Sequence, residues 1–237
     1  MTRPPRGAGP LPARHARQGA GGAAAGSGLA GTGRVADDLW LMAHHESSGR
    51  PFLGPRPLGI GLAGGLLAEL MLSGCVFVGF DRALVASRTR PDDSLAHQVR
   101  DQVDGDPERH PLPDWLLFLA QTAAGNVADR LERAGYLTRA GWLPWRAARW
   151  VPVDPDWAFG SLLRTRPAVD ASRPLTAHAA VLAGLAAGCG LRFRLDQYVP
   201  PAGRTVDQAV ARLDPGLQRL IAAVRQTVDT AVLTRRA

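Results

Sequence analysis

The residues best suited to a binding function are three tryptophans that alternate with arginines in one segment. Residues 136–153 read YLTRAGWLPWRAARWVPV. An indole ring is amphipathic and suits the bilayer interface, where a guanidinium can meet a lipid phosphate. Tryptophan and arginine are also enriched where subunits meet. The pattern predicts a membrane-binding or oligomer-forming hairpin that uses Trp142, Trp145, Arg146, Arg149 and Trp150, unless one or two of these rings cover the core.

A second motif is a glycine series of the kind that binds dinucleotides. Gly59, Gly61 and Gly64 spell GxGxxG and are followed by a helical pattern. A nucleotide site needs a buried strand before the first glycine. The preceding residues, RPFLGPRPL, contain three prolines, and proline cannot donate to a strand ladder. The glycines are better explained as positions where a buried helix packs closely.

The histidines do not form a recognisable catalytic or metal-binding pattern. His44, His45 and Glu46 are adjacent, so on a helix their side chains point about 100° apart instead of converging. We expect them to form a solvated helix end. His178 stands alone in an Ala-rich helical pattern, where a hydrogen-bonded structural role is expected. With no GxSxG or P-loop motif, we expect no enzyme activity, no cofactor and no metal site.

The positive charge of the chain is concentrated at its beginning. All 28 basic residues are arginines; five lie in residues 1–34, which contain no acid, leaving 23 against 21 acidic residues in the rest. DNA-binding domains normally carry their positive excess on the fold itself, so nucleic acid is not the expected partner. Residues 1–33 have low complexity and no apolar period, which predicts a disordered tail before a domain at 34–237.

Composition also bears on the compartment. An arginine-only, Ala/Gly/Pro-rich sequence is typical of a GC-rich genome and suggests a bacterial source. Cys75 and Cys189 are isolated in apolar stretches, without the spacing of a disulfide framework or a zinc site, and so indicate reduced thiols and a cytoplasmic location. The most apolar run, Leu58 to Leu72, contains Glu69 and falls short of the roughly 20 residues that a bilayer span requires.

The elements that must position these residues are mostly helices. Apolar spacing and capping signals predict helices at 35–45, 61–74, from 94, at 114–123, 126–134, 155–164 and 175–187, and after the caps at 205 and 214. Segments 75–87 and 136–153 read as short hairpins, the second one protruding. The predicted fold class is mainly α, a single compact helical domain with two short β-hairpins.

The order of elements around residue 125 permits a different interpretation. A helix at 114–123, a turn at Gly125, a helix at 126–134 and a hairpin follow one another as in a winged helix. The helix that would read DNA offers Arg130 and Arg133, but Asp129 and Glu132 nearly cancel their charge. A winged-helix nucleic-acid-binding or regulatory protein is therefore the alternative function.

Two stretches resemble the Golgi phosphoprotein 3 family. VADDLWLMAHHESSGRP followed by GLAGGLLAELMLSGCVFV is similar to the family's opening helix, polar loop, glycine-rich helix and apolar hairpin. DRLERAGYLTRAGWLPWRAARWVPVD is similar to its later helix and protruding hairpin. The resemblance implies a non-enzymatic peripheral membrane protein that binds phosphatidylinositol 4-phosphate, self-associates and acts as an adaptor for a client protein.

The lipid pocket of that family does not carry over residue by residue. Its tryptophan and three arginines fall on Gly54, Ala63, Gln121 and Ala124, so its bidentate phosphate clamps are lost. Arg50, Phe52 and Arg56 lie in the adjacent loop. These three residues are our candidate for a rebuilt site for anionic lipid.

Overall fold

The backbone is dominated by α-helix, as the helical period of the sequence predicts. This computed structural model describes residues 31–79, 83–140, 149–198 and 203–233, so of the predicted tail only residues 31–33 are included. The helices are α1 (Val35–Met42), α2 (Pro55–Leu72), α3 (Ser94–Asp104), α4 (Leu112–Ala120), α5 (Ala123–Arg133), α6 (Asp156–Leu163), α7 (Arg166–Val169), α8 (Ala177–Cys189), α9 (Arg192–Tyr198), α10 (Val206–Val210) and α11 (Pro215–Leu233). The strands are β1 (Val76–Val78), β2 (Leu84–Ala86), β3 (Leu137–Ala140) and β4 (Arg149–Pro152). The mainly α fold class with two hairpins is confirmed.

Helix α2 runs through the centre of the bundle. Every residue from Leu58 to Ala68 is buried, and a helix that is apolar all round must be covered on all sides. Helices α1, α4, α5, α8 and α11 pack against it. The helix begins at Pro55, earlier than predicted, because proline suits the first helical turn, where its missing N–H needs no partner.

The GxGxxG glycines lie inside α2 and allow its neighbours to approach. A Cβ built on Gly59 would lie 2.5 Å from a carbonyl oxygen of α4, and one on Gly61 would lie 2.9 Å from α8. On Gly64 it would lie 2.6 Å from α11, and on Gly65 2.9 Å from α1. Because these glycines are in mid-helix and not in a strand-to-helix turn, they cannot cradle a pyrophosphate. The close-packing explanation is confirmed.

A buried ion cluster ties α1, α2 and α5 together. Arg130 Nε donates to Asp37 Oδ1 at 2.8 Å, and its two terminal nitrogens donate to the Glu69 carboxylate at 2.9 and 3.0 Å. Asp93 approaches Arg130 to 3.5 Å and also pairs with Arg34. Burial raises the pKa of Asp37 to about 7, against the lowering effect of the Arg130 charge. Three carboxylates thus share two guanidiniums, and the cluster is short of positive charge.

The neighbouring carboxylate, Asp38, anchors further segments to the start of α1. It is fully buried and accepts hydrogen bonds from Thr32 N at 2.8 Å and Ser161 Oγ at 3.1 Å. His178 Nε2 lies 3.2 Å from Asp38 Oδ2, and Arg164 Nε lies 3.6 Å from the same oxygen. The structural role predicted for His178 is confirmed, since it links α8 to α1.

Both predicted hairpins are present. Val76 pairs with Ala86 in the first, and Leu137 pairs with Pro152 in the second, both antiparallel. The second hairpin follows α5 through Gly135, whose φ of 83° is the left-handed conformation that glycine adopts readily. Residues 141–148, which include Trp142, Trp145 and Arg146, lie outside the described residues.

Side chains cap the starts of α3, α8 and α10. Thr205 and Gln208 form the predicted capping box of α10, and the Asp93 side chain caps α3 by accepting from Leu95 N and Ala96 N. Helix α8 ends at Gly190, with φ of 104°, two residues later than the predicted Gly188.

The packing role of the α2 glycines gives a direct stability prediction. Gly59→Ala places a methyl group against the carbonyl oxygen of Ala120, which belongs to the backbone and cannot rotate away. We expect a loss of about 1–3 kcal/mol in the free energy of unfolding, measured by urea denaturation. The control is Gly125→Ala in α5, where the added Cβ meets nothing within 4 Å; it should stabilise by about 0.5–1 kcal/mol. Equal effects of the two substitutions would contradict this account.

The ion cluster predicts that α5 carries one indispensable arginine. Arg130→Ala leaves Asp37 and Glu69 buried without their cation, so we expect about 3–5 kcal/mol of destabilisation. Arg130→Lys should recover only part of it, because lysine cannot donate in the same forked geometry. Arg133→Ala, one turn away and exposed, should change the unfolding free energy by less than about 0.5 kcal/mol. A full rescue by lysine would show that charge alone is enough.

Candidate functional site

The loop between α1 and α2 presents the residues singled out in the sequence. His45 N donates to the Arg50 carbonyl at 2.8 Å, Gly49 N donates to the His45 carbonyl at 2.8 Å, and Phe52 N donates to the Ala43 carbonyl at 2.8 Å. These bonds close the loop on itself, so its backbone is held by its own residues. The Arg50 side chain is exposed at the edge of this turn.

Phe52 is held in an aromatic and cationic cluster with α9. The Arg194 guanidinium lies 4.6 Å from the centre of the Phe52 ring, within the range of a cation–π interaction. The Phe193 ring meets Phe52 edge-on, with centroids 6.0 Å apart and planes at 80°. Arg194 is itself buried and lies 3.9 Å from the Glu46 carboxylate. Phe52 is therefore fixed from α9 as well as from its own loop.

The same loop packs against strand β4 of the second hairpin. Gly49 has a φ of 61°, and a Cβ built there would lie 1.9 Å from the Trp150 carbonyl oxygen. Only glycine fits between the loop and β4. The structure therefore packs the loop that carries Arg50 and Phe52 against the strand that carries Trp150, which the sequence placed in a separate candidate surface.

The Trp150 ring contacts both the core and the side chain of Arg139. The ring packs against the edge of the core, so it partly fulfils the core-covering alternative. Its cross-strand partner Arg139 stacks on the ring, with the guanidinium 4.0 Å from the centroid. Arg139 also lies 3.3 Å from Asp129 and 3.2 Å from Glu132. This arginine is neutralised by α5 and is poorly placed to bind an external anion.

The remaining candidate residues fall in three positions. Arg56 is exposed at the second residue of α2. Arg149 is exposed at the start of β4. Trp142, Trp145 and Arg146 lie outside the described residues. We call Arg50, Phe52 and Arg56 the loop site.

The loop site carries exposed positive charge that no carboxylate of the described residues pairs with. Among the described residues, no carboxylate lies within 4 Å of the guanidinium nitrogens of Arg50, Arg56, Arg149 or the nearby Arg192. Exposed arginines beside aromatic rings suit an anionic ligand. The chemistry available here is anion binding at an apolar edge.

Two other candidate features have structural roles. His44 is buried, not solvated as expected, because its ring stacks on Trp40 at 3.6 Å and its Nδ1 lies 2.7 Å from the Trp40 carbonyl. Burial lowers the pKa of His44 to about 4, and raises that of Cys189 to about 12.

Within the described ranges, no group of three or more His, Cys, Asp or Glu side chains could hold a metal ion.

The winged-helix alternative loses one of the two arginines of its recognition helix. Arg130 on α5 is buried in the ion cluster, and Arg133 donates to the Asp129 carbonyl at 3.1 Å. Helix α5 packs against α1 and α2. The fold therefore keeps Arg130 away from a DNA base and leaves Arg133 exposed at the end of the helix.

Sequence reasoning missed the contribution of α9. Its sequence, RFRLDQY, alternates arginine with an aromatic residue, which was the only available signal. Nothing local connects Arg194 with Phe52, since more than a hundred residues separate them in the chain.

Comparison with known proteins adds one finding. A family model described as Golgi phosphoprotein 3 (GPP34) matches residues 35–231, from the first residue of α1 into α11. Comparison with curated proteins gives no match. In the described part of the chain, no helix has the length and apolar character needed to cross a bilayer.

The seating of the loop on β4 gives a prediction with a matched control. Gly49→Ala and Gly74→Ala both place alanine at a positive φ, 61° and 69°. Only the first meets backbone atoms, since the Cβ at Gly74 has nothing within 4 Å. We expect Gly49→Ala to be the more destabilising by about 1–3 kcal/mol in urea denaturation.

Hydrogen exchange shows whether that loss is local. Amides of β4 should exchange faster in Gly49→Ala than in Gly74→Ala, because the loop can no longer rest on Trp150. Unchanged exchange in β4 would mean that the loop and the hairpin are not coupled.

Proposed function

The chain belongs to the Golgi phosphoprotein 3 family, and we propose that it is a non-enzymatic peripheral membrane protein that binds anionic lipid headgroups through the loop site. The observation that carries this proposal is the pair of exposed guanidiniums, Arg50 and Arg56, without a carboxylate partner in the described residues. Phe52 lies between them in the sequence, fixed by Arg194 and Phe193. A cationic and aromatic edge of this kind suits the headgroup layer.

The headgroup implied by the family is phosphatidylinositol 4-phosphate. The family's clamp positions here hold no cation: Gly54 precedes α2, and Ala63 is buried inside it. Gln121 is exposed after α4, and Ala124 is half-buried in α5. Without bidentate donors at these positions, binding rests on charge and on an aromatic contact, with less discrimination among phosphate-bearing lipids.

The basic tail would add to this attraction. Residues 1–30 hold Arg3, Arg6, Arg14 and Arg17 and no acid. Arginines near an anionic surface contribute about 1 kcal/mol each. Such a contribution is long-ranged, so it would bring the domain to the membrane before the loop site engages.

The second hairpin supports the remaining parts of the proposal. Trp142, Trp145, Arg146 and Arg149 would contact the membrane or a second copy of the chain, while Trp150 supports the hairpin from the edge of the core. By the family's character we also propose an adaptor role toward a client protein, at the cytoplasmic face of a membrane.

Vesicle co-flotation tests the loop site. The full chain is mixed with neutral phosphatidylcholine vesicles, with vesicles containing phosphatidylserine, and with vesicles containing phosphatidylinositol 4-phosphate at equal surface charge. We expect binding to both anionic vesicles and little preference between them. Arg50→Glu with Arg56→Glu should weaken binding at least about tenfold, given the contribution of each arginine near the surface.

The control reverses the same number of charges elsewhere. Arg88→Glu with Arg212→Glu changes two exposed arginines on other connections and should leave most of the binding intact. An equal loss in both double variants would mean that net charge, not the loop site, controls binding. A strong preference for the phosphoinositide would show that a specific clamp exists elsewhere.

A further inference from the structure

Helix α9 places an exposed aromatic ring beside the loop site. The Phe193 side chain is 49% exposed, although one edge of its ring contacts Phe52. The preceding residue, Arg192, is also exposed. A half-exposed phenylalanine next to an arginine suits a surface where apolar and charged groups meet, such as the headgroup layer of a membrane.

We propose that α9 is the second half of the lipid-binding site: Phe193 enters the interfacial layer of an anionic membrane and Arg192 pairs with a lipid phosphate. This inference rests on the proposed function and extends it to residues distant in sequence from the loop site. Phe193 would supply apolar binding energy, which the arginines of the loop cannot supply.

The orientation of Phe193 is fixed by its neighbours in α9. Leu191, Arg194 and Leu195 are buried, so the inner face of this short helix is anchored. Gly190, with φ of 104°, ends α8 in the left-handed conformation and lets the chain turn into α9. Phe193 is therefore held outward by the fold and does not need to rearrange in order to meet a membrane.

The charges around Phe193 favour an anionic lipid surface over a second copy of the chain. Arg50 and Arg192 have no carboxylate partner among the described residues, and Asp196, one turn after Arg192, lies beyond ion-pair distance. A two-fold contact between two such faces would bring their arginines together, which is unfavourable. The phosphates of an anionic lipid surface can pair with exposed arginines of this kind.

The test compares single substitutions by partitioning onto vesicles of phosphatidylcholine with phosphatidylserine at low salt and at about 1 M salt, where the Debye length is about 3 Å. Phe193→Ser should weaken partitioning by about five- to tenfold at both salt concentrations, as loss of a buried aromatic contact requires. Arg192→Glu should weaken it at low salt only. Phe193→Leu should retain most of the binding, which guards against a folding defect. Phe77→Ser on β1, where the ring is 50% exposed, is the matched control.

Each outcome bears on the two proposals separately. If the unchanged chain does not bind anionic vesicles, the proposed function fails and α9 has no membrane role. If it binds, and Phe193→Ser binds equally well, only the role of α9 is overturned. If Phe193→Ser changes the oligomeric state and not vesicle binding, the face is a protein contact, and the inference is again wrong.

Discussion

The ion pairs of the Arg130 guanidinium are the interactions on which the fold depends. This guanidinium is buried, and it links α5 to Asp37 at the start of α1 and to Glu69 near the end of α2. Glu69 also accepts a hydrogen bond from Ala36 N at 2.8 Å. One carboxylate therefore binds both the Arg130 side chain of α5 and the backbone of α1. Every charge in a buried cluster needs a partner, because a buried charge left unpaired costs several kcal/mol of stability. The cluster therefore fixes three helices relative to one another.

Fixing α1 also fixes the loop that follows it. His44 stacks on Trp40 at the end of α1, Gly49 rests on the backbone of β4, and α2 begins within a few residues at Pro55. The loop is thus held at both ends and in the middle. A site on such a loop is organised before any ligand arrives, which reduces the entropy lost on binding.

Membership of the family and a change of ligand-binding residues are compatible, because core packing and ligand contacts depend on different residues. The core of this chain is organised around an apolar α2 whose glycines face its neighbours. Ligand chemistry is carried by a few side chains at the surface and can change without altering the core. In this chain the loop and α9 bring exposed arginines and two phenylalanine rings close together.

Most of the helices, the capping box at Thr205 and the lack of a strand before GxGxxG could be predicted from the sequence, because they depend on hydrogen bonds and apolar periods among near neighbours. Helices α7 and α9 were not predicted, since each is only a few residues long. Which charges are buried and which surfaces are adjacent depend on the tertiary structure. Arg130 meets Asp37 across 93 residues and Glu69 across 61, and Arg194 on α9 covers Phe52 in the loop between α1 and α2. Such pairs form only when packing brings distant segments together, and no local pattern records them.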